Sequence, residues 1–279
     1  MSGPLLSIVI PTKNSAANLN NCLETIGQQT YGNYEVIIVD GFSTDGTREI
    51  AEKFGAKYLT SPEKPPGARN LGFSQAGGQV FVSIDSDMLL LEKGLFGEIA
   101  SMISNYDALI IPEVGYGTDF MSRCKDLEKR CYLNDSVVES ARAFRKDAFN
   151  AVGGYDPKLH FGEDWDIHYR IKNRFKIGRA NSRIMHDTRL TTLGQDLRKA
   201  YTYGYTLRSY AEKGNDQLRQ WTSPHHIFFI KHFRKLVGQP LEGMGIVIIK
   251  LAEYSFGLAG FLASYLLQNK KPSQVSKDA

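Results

Sequence analysis

Residues 5–40 read LLSIVIPTKNSAANLNNCLETIGQQTYGNYEVIIVD, and the change of hydrophobic period within them decides the fold. Leu6 to Ile10 is an unbroken apolar run, short enough for a buried strand. Ser15 then stands where a helix can be capped, and Leu19, Cys22, Leu23 and Ile26 fall on one face of that helix. Glu35 to Val39 is again β-branched and ends in Asp40. Strand, helix and strand make a βαβ unit, and such units lay their strands side by side in a mostly parallel sheet.

The alternation continues outward. A helix capped near Ser43 or Thr44 leads to a strand at Lys57 to Leu59, a helix near Ala68 to Gln75 and the strand Val80 to Ile84, completing a four-strand nucleotide-binding half. Beyond Asp87 the pattern loosens into a helix near Lys93 to Ile103, a strand at Ala108 to Ile111, a helix from Asp119 to Leu133 and another after Gly162. We read this as an acceptor-facing half. A chain of 279 residues holds one such α/β domain and an appendage, because a single core stops growing near roughly 250–300 residues.

Hydrophobic residues at 42% and charged residues at 23% exclude disordered and collagen-like classes. Cys22, Cys124 and Cys131 show neither paired nor metal-type spacing and read as core or bystander thiols in a reducing compartment. The first apolar run has no basic region before it and meets Pro11, so it reads as a strand rather than a signal peptide, and the catalytic part is expected to stay cytosolic. A net charge of +4 with pI near 8.8 favours anionic partners such as diphosphates or lipid headgroups, and nothing in the sequence supports nucleic acid.

The chain changes character at Pro224. His226 to Val237 sets Ile227, Ile230, Phe233 and Val237 along one helical face and Lys231, Arg234 and Lys235 elsewhere, as in an interfacial helix. Ile246 to Leu267 is mostly apolar and long enough to cross roughly 30 Å of hydrocarbon at about 1.5 Å per residue. Lys250 and Glu253 interrupt it, either snorkelling or pairing with each other at i,i+3. The expected organisation is therefore a catalytic domain over 1–215, membrane-associated helices over 222–268 and a polar tail over 269–279. A helix hairpin on the soluble domain, or a homodimer through these helices, is the alternative.

Asp85-Ser86-Asp87 closes a predicted strand with two carboxylates two residues apart, at the strand end where α/β sheets bind ligands. A hard divalent ion often takes only one or two protein carboxylates and draws its other ligands from substrate phosphates, so this is a metal-diphosphate site in outline.

The specificity lies in a longer series. Ser7-Ile8-Val9-Ile10-Pro11-Thr12-Lys13-Asn14, then Val39 to Thr47 (VDGFSTDGT), then Gly67-Ala68-Arg69-Asn70 and Asp85-Ser86-Asp87, resembles in order and spacing the family 2 glycosyltransferases of the GT-A fold. The resemblance continues through Arg142-Ala143-Phe144-Arg145, Val152 to Asp156 (VGGYD) and Gly162 to Asp166 (GEDWD) to His186. It implies an α/β GT-A fold and inverting transfer, dependent on Mn²⁺ or Mg²⁺, of a single hexose from a GDP- or UDP-sugar.

By the same resemblance Pro11, Thr12 and Asn14 hold base and ribose, Asp40 accepts from the base, and Arg69, in a loop, faces the pyrophosphate with its fork of donors. Asp85 lies near ribose and metal, Asp87 is the direct metal ligand, and His186 stands near metal or diphosphate. Glu163-Asp164 matches the pair at the start of an acceptor-side helix, with Asp164 the candidate base and Trp165 on the acceptor side. A phosphate acceptor would need no such base.

Two departures bear on substrate. Gly41 follows Asp40 where many relatives carry a second acid. Gln195-Asp196-Leu197-Arg198-Lys199 replaces the Q-x-x-R-W of processive members, which disfavours a polymerase and leaves Gln195 and Arg198 either as acceptor contacts or as ordinary residues of an amphipathic helix from Gly194 to Glu212.

The expected function is transfer to a lipid-linked acceptor, a polyprenol phosphate or a glycolipid, at the cell membrane, with mannose the first sugar by analogy. A soluble transferase with a non-lipid acceptor is the runner-up. A sugar-phosphate nucleotidyltransferase would need a glycine-rich basic loop that is missing, and a non-catalytic module would not need Asp85, Asp87 and Asp164 together.

Overall fold

The computed structural model describes residues 3–159, 161–189, 192–211 and 228–268. The strands are β1 Leu6–Thr12, β2 Tyr34–Asp40, β3 Lys57–Thr60, β4 Val80–Ser83, β5 Met88–Leu89, β6 Ala108–Ile110, β7 Glu113–Tyr116, β8 Ala141–Arg145, β9 Ile177–Arg179 and β10 Ile184–Asp187. The helices are α1 Ala16–Gly27, α2 Thr47–Lys53, α3 Pro65–Ser74, α4 Leu95–Met102, α5 Phe120–Tyr132, α6 Lys146–Ala151, α7 Glu163–Lys172, α8 Leu193–Ala211, α9 Phe228–Lys231, α10 Phe233–Gly238 and α11 Pro240–Gln268.

The main sheet runs β3-β2-β1-β4-β8-β6-β9, with the first four strands parallel and β8 antiparallel to both β4 and β6. Alternation along β1 explains the layers. Leu6, Ile8 and Ile10 point to a core shared with Leu19, Cys22 and Ile26 of α1 and Leu95, Phe96 and Ile99 of α4. Val9 points the other way, to Phe73 of α3, Phe149 of α6 and Ile167 and Ile171 of α7. Gly72 lets α3 lie directly on the sheet, since a Cβ there would sit 2.4 Å from Val9 Cγ1.

Sequence and structure part company at several element ends. Strand β4 stops at Ser83, so Asp85 to Asp87 lie on the turn before β5 rather than in a strand. Helix α2 is entered at Gly46 (φ 84°), not at Ser43 or Thr44, because both Ser43 groups are engaged by Asp40. Ser15 does occupy the position before α1, but the first-turn N–H of Ala16 is met by Asp45 at 3.0 Å. Strands β5, β7 and β10 form a second sheet that short apolar runs did not announce.

At the C-terminus the single helix expected over His226–Val237 is two, α9 and α10, broken at His232, whose ring is buried edge-on to Tyr132. His226, Ile227 and the tail over 269–279 lie outside the described residues. Helix α11 is longer than expected, 29 residues, and by length and composition it can cross a membrane. It lies against α5 in a third apolar cluster of Cys124, Leu127, Cys131, Leu236, Ile246 and Ile249. Lys250 and Glu253 do pair, at 2.9 Å, and both turn toward protein.

Candidate active site

Strand order 3-2-1-4 places the chain reversal between β1 and β4, and a crevice opens at the carboxyl ends of strands beside such a reversal. The loops after β1, β2 and β4 all end there.

The first two are laced together. Thr12 Oγ1 donates to Asp40 Oδ1 at 2.9 Å, Gly41 N to Thr12 O at 2.8 Å, Asn14 N to Ser43 Oγ at 2.7 Å and Thr44 N to Asn14 Oδ1 at 3.0 Å. Lys13 Nζ reaches back to the carbonyls of Gly41 and Phe42. Asp40 is fully buried, and its oxygens accept from Thr12, Ser43 Oγ and Ser43 N, so here it holds the loop and is not the open base acceptor expected from sequence. Burial opposes its ionisation, yet those donors keep its carboxyl below the usual range.

Two residues of this loop are in the left-handed region, Asn14 (φ 49°) and Phe42 (φ 61°), and the Phe42 ring is 56% exposed. A phenylalanine so held is costly and persists where surroundings impose it. Sequence reasoning passed over it, although a bulky residue between two glycine-rich turns was visible.

The third loop meets a buried ionic network. Arg69 is not in a loop but on α3, with its side chain 4% exposed. Its Nη2 lies 2.6 Å from Asp85 Oδ1 and its Nη1 3.3 Å from Glu163 Oε1, with Tyr155 beneath the guanidinium. Arg142, on β8, bonds Glu113 through Nε and stands 3.5 Å from Asp85 Oδ2 and 3.9 Å from Asp164 Oδ2. Glu113 in turn lies 2.7 Å from Nε2 of His186, whose Nδ1 is 3.9 Å from Asp87 Oδ1. Arg142 was quoted in the sequence without a role and Glu113 was missed, since neither separation in the chain hints at contact.

The electrostatics follow. Burial would raise the Asp85 carboxyl, but Arg69 and Arg142 outweigh it and hold it well below the usual range. Glu113 is driven down in the same way, burial being overcome by Arg142, Lys129 and His186. Glu163 goes up, because burial and the neighbouring Asp164 exceed the pull of Arg69.

The acidic first turn of α7 divides into three tasks. Asp166 binds Arg170 at 2.6 Å, and Arg170 in turn donates to the carbonyls of Val152 and Gly154. Glu163 binds Arg69. Asp164 Oδ1 is buried without a hydrogen-bond partner. Trp165 donates to Val138 O at 2.9 Å, and its ring meets Phe161, which lies 4.9 Å from Tyr203 of α8.

Helix α8 closes the site. Gln195 completes a reciprocal cap, accepting from Thr192 N at 2.8 Å while its own N donates to Thr192 Oγ1, so its helical role accounts for it; Arg198 is exposed. Lys199 is the residue the sequence did not single out. Its ammonium sits 5.5 Å from the Tyr203 ring centre, and Tyr203 with Asp87 and Asp85 keeps it above its usual range.

The donor set suits a divalent ion without prebuilding a cage. Among the described residues no three His, Cys, Asp or Glu side chains converge on one point. Asp87 Oδ1 and His186 Nδ1, 3.9 Å apart, are close enough to share one cation at about 2.0–2.2 Å from each, with substrate oxygens left to complete the shell. Asp85 is committed to arginines and orders the turn.

Comparison with known proteins agrees with this layout. The fold is shared with a mannosyltransferase from Pyrobaculum calidifontis, solved with GDP-Man and Mn²⁺ (TM-score 0.58, 16% identity, covering 97% of this chain and 82% of that one). It is shared too with S. aureus TarS (TM-score 0.54, 18% identity, 93% of this chain), of which this chain spans 54%. These define the class, an α/β protein of GT-A fold. Residues 7–153 match the family described as Glycosyl transferase family 2, and a PGL/p-HBAD biosynthesis glycosyltransferase of Mycobacterium bovis is 30% identical over 200 residues, 67% of this chain and 75% of that one. The chain belongs to glycosyl transferase family 2.

Proposed function

We propose that this transferase moves a single hexose, mannose first, from a GDP- or UDP-sugar to a lipid-linked acceptor at a membrane surface, with inversion at the anomeric carbon. The observation that carries the transfer chemistry is Asp164: a buried carboxylate oxygen with no hydrogen-bond partner, beside a network that engages Asp85, Glu113, Glu163 and Asp166. Residues 1–215 form the catalytic domain and 222–268 the membrane-associated helices, with the catalytic side facing the cytoplasm.

In this reading Thr12 and Asn14 hold base and ribose, and the exposed Phe42 ring offers the base a stacking face. Asp87 and His186 hold Mn²⁺ or Mg²⁺, which when bound neutralises charge on the donor diphosphate. Arg69 and Arg142 orient Asp85 beneath it, and Lys199 places a cation over the leaving phosphates or an acceptor phosphate. As the new C–O bond forms at the anomeric carbon, the bond to the diphosphate oxygen breaks and its electron pair leaves with the diphosphate. Asp164 takes the acceptor hydroxyl proton, with Glu163 beside it. Trp165 lines the acceptor side; with a phosphate acceptor the base becomes dispensable.

The deciding experiment is turnover by the full chain in lipid across a panel of GDP- and UDP-sugars, with Mn²⁺, Mg²⁺ or chelator and a polyprenol phosphate acceptor. One donor consumed only with metal, yielding a lipid product, is the expected result. A folded protein that binds metal and turns over no donor with any acceptor would refute it. Asp164→Asn separates acceptor types: loss with a hydroxyl acceptor and survival with a phosphate acceptor.

A further inference from the structure

Helix α11 is built inside out. Leu241, Met244, Ile248, Leu251, Leu258 and Leu262 recur every three, four or seven residues and are each more than half exposed, so an apolar stripe, interrupted by Ser255 alone, faces away from the domain for roughly 32 Å. A surface helix of a water-soluble domain presents the opposite face. The charged residues Lys250 and Glu253 point inward instead. Lys125 of α5 reaches Glu253 at 2.6 Å and Asp196 of α8 at 3.1 Å, while Lys250 bonds Glu128 of α5 and Glu253.

Glycines complete the attachment. A Cβ on Gly204 would sit 1.8 Å from Gly257 O, and one on Gly260 2.0 Å from Tyr201 O, so α8 and α11 meet backbone to backbone. Drawing α11 away to cross a bilayer alone would carry Lys250 and Glu253 into hydrocarbon and strand Lys125, Glu128 and Asp196 behind them.

The short helices extend the same face. Ile230, Phe233 and Val237 are 64%, 63% and 59% exposed and alternate with exposed Lys231, Arg234 and Lys235, of which Lys231 is paired with Asp135 and Lys235 donates to the carbonyls of Arg130 and Cys131. Anionic headgroups supply the opposite charge to Arg234 there, whereas a second copy of this face would bring only the same cation, its nearby acid Glu242 being engaged by Arg123.

We infer that this face docks on an anionic lipid bilayer with α11 lying in the plane of the interface, fixed to α5 and α8, and that the helix does not span the membrane. The inference rests on the membrane-surface reading above and gives it a geometry. Helix α8 then lies between bilayer and site, with Gly204 against α11, Asp196 on Lys125 of α5 and Tyr203 against Phe161, so a lipid-borne acceptor group has one helix thickness to cross.

The test uses the full chain with phosphatidylcholine vesicles containing phosphatidylglycerol. Environment-sensitive fluorophores are attached singly at Met244→Cys, Leu251→Cys and Leu258→Cys, the native cysteines being buried, and their depths are read with lipid-borne quenchers. We expect one shared shallow depth, about 5–10 Å below the headgroups. Depths that differ by 10 Å or more along the helix, as roughly 1.5 Å per residue would give for a span, would overturn the inference. Leu251→Glu should weaken vesicle binding by about tenfold or more. Unchanged binding, or a wild-type chain that ignores vesicles and self-associates through this face, would also overturn it. Donor turnover is read separately in detergent: its absence sinks the transfer reading while the depth profile still decides the docking.

Discussion

Arg69 and Asp85, sixteen residues apart in the chain, meet at 2.6 Å with the arginine side chain almost wholly buried. The same guanidinium reaches Glu163, ninety-four residues from Arg69, so one cation joins α3 to the start of α7. The site is organised by this ion as much as by its acids.

Replacing Arg69 by Met should therefore strike stability and activity together. Two part-buried carboxylates would lose their shared partner, Asp85 keeping Arg142 at 3.5 Å, at a cost of about 1.5–3 kcal/mol, and kcat/KM for the donor should fall by roughly 100-fold or more. Arg69→Lys restores charge but not the fork, and should recover only part of either quantity. Thermal melting and steady-state kinetics read the two effects; a fully active R69M chain would remove Arg69 from the site.

Asp87→Asn and His186→Gln address the metal. Each should raise the Mn²⁺ concentration for half-maximal activity by about 10- to 100-fold, on the scale of a lost ligand or its support. A metal titration at saturating donor measures this. Unaltered metal dependence in both variants would show that the ion is held elsewhere.

Phe42→Gly should improve folding while harming binding. Glycine relieves a left-handed φ worth about 1–3 kcal/mol, partly offset by the greater freedom of the unfolded chain. Loss of the exposed ring should raise donor KM by about 5- to 10-fold at little cost in kcat, if the ring stacks on the base. Donor KM unchanged in a stabilised variant would leave the strain without a ligand role.

His168 predicts an acid sensitivity unrelated to catalysis. Its ring accepts from Ala141 N at 3.1 Å, and burial, with Lys172 nearby, pushes it down to about 4. Because the folded form resists protonation, the unfolded chain binds the extra proton as pH falls below about 6.5, and stability drops until pH 4, by on the order of 3 kcal/mol. Urea unfolding at pH 7 and pH 4.5 should show a smaller loss in His168→Gln than in the wild-type chain.

The strands and helices of the nucleotide half were legible because Leu6 to Ile10 and Glu35 to Val39 carry their period locally, and the candidate acids stood in motifs of fixed spacing. Pairings across the chain were not. Glu113 offers no local signal, yet it lies against Arg142 and His186 because β7 lines up with β10 and β8 crosses beside them. Lys199 is set over the Tyr203 ring by the turn of α8 rather than by any pattern around it.

The sequence by itself determined the α/β alternation, the glycosyltransferase motif series and the presence of a long apolar C-terminal segment, since each depends on residues close in the chain. Only the tertiary structure decided that Asp40 is occupied, that Arg69 joins α3 to the start of α7, and that Lys250 and Glu253 face Glu128 and Lys125. The reason is physical: a buried charge must find a partner, and partners more than a hundred residues away become available only once the helices have met.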